Sequence, residues 1–231
     1  MHASRPPAIA RLGIFGGSFN PIHLAHLRSA EEVAEALRLD RVLFVPTASP
    51  PHKSPTELAA APQRLAMVRR AIAGNPSFRV SAIELERPGR SYSIDTVREL
   101  QRRHQAATLF LIIGMDQFRE LATWKDYGEL LTACDLVVTS RPGQQFVVSL
   151  APLPVAARAQ FCYQASHKRY SHRTGTAIHF LRISDLDISA SAIRSRVRRG
   201  ASVRYLVPPS VHRYLLQHQL YRGRLKTVAG A

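Results

Sequence analysis

The feature that most constrains this chain is an alternation of two periods in its first 140 residues. Short apolar runs recur, separated by segments whose apolar residues repeat at helical spacing. Residues 12–16 read as a buried strand ending in Gly16-Gly17. Leu27, Ala30, Ala34 and Leu37 follow at helical spacing, with Glu31, Glu32 and Glu35 among the other positions. Residues 41–45 (RVLFV) read as a second strand. Residues 63–73 form a helix with Leu65, Val68 and Ile72 inward, and 79–86 (RVSAIELE) alternate as a strand would. A helix over 93–104 carries Ile94, Val97 and Leu100 on one face. Residues 108–113 (TLFLII) and 135–139 (DLVVT) are further strands, with a helix after Gly114 between them. Strands alternating with helices predict an α/β fold, a Rossmann-like doubly wound parallel sheet with right-handed crossovers. Such sheets bind ligands at the carboxyl ends of their strands, so the residues just after each apolar run are the candidates for function.

The second half is harder to read. Pro152 and Pro154 break the pattern, and nothing is assigned over 143–177 beyond a basic loop at 168–173 (KRYSHR). Residues 178–183 (IHFLRI) read as a last strand. Residues 189–199 then form a helix capped by Gly200, and 208–220 a closing helix with two prolines at its start, where a missing N–H costs least. At 231 residues the chain has the length of a single domain, expected to have a core over about 11–187 and a small helical part over about 188–222. It has no apolar run of about 18 residues that would span a membrane. Residues 1–11 lack the apolar stretch of a secretory signal. Cys134 and Cys162 are too few for a disulfide framework or a Cys-rich zinc site. The expected location is therefore the cytoplasm, without a membrane partner.

Charge is the unusual part of the composition. The net charge is +16, and residues 141–231 carry 15 basic and 2 acidic side chains, against 17 and 14 over residues 1–140. A field of this sign attracts phosphate-bearing partners, whether nucleic acid or nucleotide. Of the 32 basic residues 28 are Arg, which genomic base composition would also produce. Charge alone does not choose among these.

The loop after the first strand carries the first chemistry: Gly16-Gly17-Ser18-Phe19-Asn20-Pro21-Ile22-His23-Leu24-Ala25-His26. Glycines let backbone approach a ligand closely, and a helix start offers free N–H groups to an anion. His23 and His26, three apart, share a helix face and can both donate to phosphate oxygens. A Gly-Gly turn is common at strand–helix joints, so alone it says little. Two histidines at this spacing suit zinc, but no HExxH glutamate or evident third ligand accompanies them. Ser18 lacks the G-x-S-x-G surroundings of a nucleophile elbow.

This segment resembles the GG[ST]F[DN]PIHxGH signature of nucleotidyltransferases related to class I aminoacyl-tRNA synthetases, with Ala25 where that family usually has Gly. Its second element is matched by Ile188-Ser189-Ala190-Ser191-Ala192-Ile193-Arg194, which resembles ISSTxIR with Ala190 and Ser191 in place of Ser-Thr. Ser189 is a plausible N-cap, and Arg194 with the helix start can face a triphosphate. Pro50-Pro51-His52-Lys53, Ser91-Tyr92-Ser93-Ile94-Asp95-Thr96, the segment 110–125 (FLIIGMDQFRELATWK) and Ser140-Arg141-Pro142-Gly143 narrow the resemblance to the bacterial nicotinate-nucleotide adenylyltransferase family. It covers most of 11–142 and 178–222.

That resemblance implies a single nucleotidyltransferase domain. It implies transfer of the adenylyl group of ATP to nicotinate mononucleotide, giving nicotinate adenine dinucleotide and pyrophosphate, in NAD biosynthesis. Mg²⁺ would be bound with the ATP phosphates, with no metal site on the protein itself. Gly16, Gly17, Ser18 and Phe19 would form the turn shared by both nucleotides. His23 and His26 would contact the ATP phosphates, and Ile188, Ser189, Ser191 and Arg194 would hold the triphosphate. His23, His26 and Arg194 are the expected catalytic residues. Lys53 and Arg141 would meet the mononucleotide phosphate, with Tyr92 and Ser93 near the ring carboxylate. Trp124 would stack on the pyridine ring or simply pack. Asp116 would contact ribose or the metal environment, or stand as a helix-start carboxylate. The competing readings are a sister adenylyltransferase taking nicotinamide mononucleotide or another phosphate acceptor, and a non-catalytic RNA-binding protein. The oligomeric state stays open, a homo-oligomer included.

Overall fold

The structure is a computed structural model that describes residues 9–48 and 58–222. Its strands are β1 (Arg11–Gly17), β2 (Arg41–Pro46), β3 (Phe78–Val80), β4 (Thr108–Gly114), β5 (Asp135–Thr139), β6 (Phe161–Gln164), β7 (Arg169–His172) and β8 (Ala177–Leu181). They form one eight-stranded sheet in the order β3-β2-β1-β4-β5-β8-β7-β6. The pairs from β3 through β8 are parallel, whereas β8–β7 and β7–β6 are antiparallel. Strand order reverses at β1, whose neighbours are β2 on one side and β4 on the other. That crevice is where an open α/β sheet admits a ligand.

Successive strand side chains face opposite ways, which gives the sheet two cores. Leu109, Leu111 and Ile113 of β4 face one core, with Leu12 and Ile14 of β1. Phe110 and Ile112 face the other, with Val42 and Phe44 of β2. Over the first face lie α3 (Ser93–Arg103), α4 (Met115–Arg119) and α5 (Tyr127–Ala133), through Ile94, Val97, Leu100, Phe118 and Leu130. Over the second lie α1 (Leu24–Leu37), α2 (Ala61–Ile72), α7 (Ala190–Arg198) and α8 (Pro209–Gln217). The last two insert Ile193, Val211 and Leu215 into the same core as Val33 and Met67. Ser210 Oγ donates to the Arg70 carbonyl (2.9 Å), and the Arg70 guanidinium lies 4.4 Å from the centre of the Tyr214 ring. No helix among the described residues is long and apolar enough to cross a membrane.

Several expectations need correcting. Only Phe78–Val80 of the expected strand over 79–86 pairs with β2; residues 81–86 turn away to place Ile83 and Glu84 in the interior. On α2 the inward positions are Arg64, Met67, Val68 and Ile72, and Leu65 is only half-buried. Periodicity counted the leucine because it is apolar and passed over an arginine that the fold buries. The supposed loop at 168–173 is largely β7, and β6 precedes it after the one-turn α6 (Val155–Arg158). At the sheet's edge β6 keeps Cys162 and Tyr163 exposed, so it has no apolar run to read. The last parallel strand is Ala177–Leu181, and the closing helix is Pro209–Gln217.

Candidate active site

The loop after β1 is built by its neighbours as much as by its glycines. Neither Gly16 nor Gly17 adopts a positive φ; the left-handed residue in the turn is Phe19, at φ 43°. A Cβ at Gly16 would meet no described atom within 4 Å, so what that glycine preserves is open space beside the backbone. Phe19 is buried whole, its ring packed against Phe15 and Phe44, which fixes the turn. Thr47 N–H donates to the Gly17 carbonyl at 2.9 Å, tying the end of β2 to the loop.

His23 is the N-cap of α1. Its backbone N–H donates to His26 Nδ1 at 3.2 Å, and the two rings stack with centroids 3.6 Å apart. Accepting at Nδ1 leaves the neutral His26 its proton on Nε2, a donor for a phosphate oxygen. His23 is buried, and burial, helped by the positive Arg141, pushes its pKa down to about 3. His23 is therefore a neutral imidazole at pH 7. Both expected histidines stand at the start of α1, His23 as its uncharged, buried cap.

Arg141, just beyond β5, ion-pairs with Asp116 at the start of α4. A Cβ on Gly114 would come within 2.5 Å of Asp116 Oδ1, so glycine at the end of β4 is what lets this carboxylate fold back. That oxygen is buried without a hydrogen-bond partner among the described residues. Tyr92 and Ser93 stand at the start of α3, where Lys125 Nζ lies 4.9 Å from the centre of the Tyr92 ring and 3.2 Å from Asp95. Trp124 precedes that lysine, half-buried against the first core. Lys53 lies outside the described residues.

The C-terminal motif reaches this loop directly. Ser189 caps α7, accepting from Ala192 N–H at 3.2 Å, and its Oγ lies 3.1 Å from Ser191 Oγ. Ile188 packs, partly buried, against the second core. Arg194 Nη1 donates to the Asn20 carbonyl at 2.9 Å, across 174 positions of sequence. Tyr221 Oη and Ala59 N–H both donate to Asn20 Oδ1, at 2.6 and 3.0 Å. Sequence reasoning missed Asn20, Arg64 and Tyr221. Arg64, 1% exposed, donates to the carbonyls of Ser18 (2.9 Å), Ala59 (3.0 Å) and Ala48 (3.3 Å). A cation on the inward face of α2 was the available signal.

The site thus gathers uncharged N–H donors, a helix start and arginines around a loop at the carboxyl end of the sheet. That set suits positioning and charge stabilisation of phosphates, and among the described residues it includes no activated nucleophile. No group of three or more His, Cys, Asp or Glu able to hold a metal ion occurs among the described residues.

The cytidylyltransferase-like family matches residues 14–196. A Geobacter sulfurreducens protein bearing the name probable nicotinate-nucleotide adenylyltransferase is 48% identical over 211 residues, covering 91% of this chain and 98% of its own. A Syntrophotalea carbinolica protein of the same name is 46% identical over 214 residues, 93% and 98% of the two chains. Among solved structures, Plasmodium falciparum nicotinic acid mononucleotide adenylyltransferase complexed with NaAD superposes with a TM-score of 0.68 at 16% identity, covering 92% of this chain and 97% of that one. At that identity the likeness is one of fold.

Proposed function

We infer the reaction from one premise: this chain belongs to the cytidylyltransferase-like family, among the nicotinate-nucleotide adenylyltransferases. It transfers the adenylyl group of ATP to nicotinate mononucleotide in NAD biosynthesis. A phosphate oxygen of the mononucleotide attacks the α-phosphorus of ATP. The new P–O bond forms as the bond from that phosphorus to the bridging oxygen breaks, and pyrophosphate leaves with the electron pair. The products are nicotinate adenine dinucleotide and pyrophosphate. The attacking phosphate is already anionic near pH 7, so no protein base is required.

The observation that carries the site assignment is the 2.9 Å bond from Arg194 to the Asn20 carbonyl, which joins the two motifs expected to share one triphosphate. In this reading the backbone of Gly16, Gly17, Ser18 and Phe19 lies beside both nucleotides. Nε2–H of His26 donates to a phosphate oxygen where charge develops, and His23 supports it as a neutral, stacked neighbour. Ile188, Ser189 and Ser191 line the start of α7, which, with Arg194, takes the β- and γ-phosphates and then the leaving pyrophosphate. Arg141 and Lys53 take the mononucleotide phosphate, Tyr92, Ser93 and Trp124 the pyridine ring, and Asp116 holds Arg141 in place. Mg²⁺ enters as part of the substrate, MgATP, neutralising the triphosphate; the single carboxylate of Asp116, already engaged by Arg141, is too little to hold it alone.

Pyrophosphate release with ATP and either nicotinate or nicotinamide mononucleotide tests the reading. Release with the nicotinate form is expected. Release with neither, or with the nicotinamide form alone, overturns it.

A further inference from the structure

Arg64 lies on the buried face of α2, in none of the sequence motifs assigned to the reaction. Among the described residues it is the largest side chain that is completely buried. Its guanidinium makes three hydrogen bonds, all to backbone carbonyls: Ser18 in the loop after β1, Ala48 after β2, and Ala59 before α2. Among the described residues no carboxylate lies within 4 Å of it. Glu84 acts on it only at longer range; that carboxyl accepts from Thr96 Oγ1 at 2.8 Å, and burial pushes its pKa up, which weakens it as a counter-charge. Tyr221, whose hydroxyl is bonded to Asn20, is held in its neutral form by burial.

A buried cation satisfied only by carbonyl dipoles is costly unless something anionic repays it. The hydrogen bonds say where that something lies. The Ser18 carbonyl is pinned on Arg64, and in a trans peptide the N–H of the next residue points the opposite way. Arg64 therefore turns the Ser18–Phe19 N–H outward from itself, and its charge stands directly behind that peptide. Both act in the same direction, aiming the peptide dipole and a positive field toward the side of the loop away from Arg64.

We propose that Arg64 is a positioning residue whose counter-charge is the phosphate of the bound nucleotide, delivered through the Gly17-Ser18-Phe19 backbone without contact. The proposal rests on the adenylyltransferase reading for which nucleotide is bound, but its test does not depend on turnover. It makes the loop an anion site only when Arg64 is charged and in place. A neutral side chain of similar volume would leave the loop present but indifferent to phosphate. The lysine variant keeps the charge but cannot reach three carbonyls at once, so it separates field from geometry.

The test compares two ligands that differ in phosphate: adenosine and a non-hydrolysable ATP analogue, with dissociation constants measured by calorimetry on wild type, Arg64→Met and Arg64→Lys. In Arg64→Met the analogue is expected to bind at least tenfold more weakly, with adenosine changed less than twofold. Arg64→Lys is expected to recover part of the analogue's affinity. A role confined to holding the fold weakens both ligands together, and that result, or an unchanged ratio of the two affinities, overturns the proposal. If Arg64→Met does not fold, the ratio in Arg64→Lys decides: a selective loss of analogue binding supports the proposal, and a parallel loss overturns it. Glu57, outside the described residues, is the control: Glu57→Gln leaves the ratio unchanged if phosphate is the counter-charge, and a shift as large as that of Arg64→Met overturns the assignment. Failure of the wild type to release pyrophosphate with nicotinate mononucleotide would refute the reaction and leave the affinity ratio to judge Arg64.

Discussion

The starts of α1 and α7 meet at one loop but are built on different plans. At α1 the cap is a buried imidazole, stacked on that of His26, which itself packs edge-on against Phe15 and Phe19. At α7 the cap is a serine hydroxyl, with Ser191 and Ala192 exposed beside it. The first arrangement is set before any ligand arrives, because aromatic packing fixes both rings. In the second the helix is anchored by Ile193, but the hydroxyls at its start are tied by a single cap bond, and exposed groups of that kind reorient at little cost. In the proposed reading this divides the labour: a rigid surface for the reacting phosphorus and an adjustable one for the part of the triphosphate that leaves.

The comparison breaks most readily with acid. Because the folded-state pKa of His23 is near 3 and the unfolded value is 6.5, the unfolded chain takes up a proton that the folded one refuses between those values. Stability is therefore complete above pH 6.5 and falls as pH drops toward 3, by on the order of 4 kcal/mol from this group. Urea unfolding followed from pH 7 to pH 4 should show the decline, and His23→Gln should flatten it. An equal slope in the variant would mean that the buried imidazole is not its source.

Arg194→Ala comes next. It removes the cation of the adjustable side, and kcat/KM for ATP should fall about a hundredfold, or ~2.7 kcal/mol. His26→Ala strikes the rigid side and should lower kcat at least tenfold, ~1.4 kcal/mol, without unfolding the protein. Unchanged steady-state constants in either variant would remove that residue from the phosphate site. The smallest effect should be Ser189→Ala, about 1 kcal/mol of stability from the lost cap. If thermal denaturation shows no change, the start of α7 is held by something other than its serine.

The alternation of periods was enough to place β1, β2, β4 and β5 and most of the helices, because buried parallel strands are continuous apolar runs. It failed where the chain leaves that regime. The edge hairpin of β6 and β7 is polar and exposed, and the run over 79–86 alternates without pairing beyond Val80. The same contrast holds at the site. His23, His26 and Arg194 are legible through the family motifs that their segments resemble. Arg64 does not, because its meaning lies in three carbonyls from three separate segments. Tyr221 is equally silent, one tyrosine in a basic stretch until the fold carries it to Asn20. Long-range hydrogen bonds to backbone leave no periodic trace.

The junction at Asn20 also has a consequence in time. Its partners Arg194 and Tyr221 follow it by 174 and 201 positions. Contacts at such separation are the slowest to form in a folding chain, and a ribosome delivers them last. The core of β1, β2 and β4 can assemble on a nascent chain well before then, with the histidines already in place. The loop is closed only when the final helices dock, so during synthesis the ability to hold a triphosphate would be acquired abruptly and late.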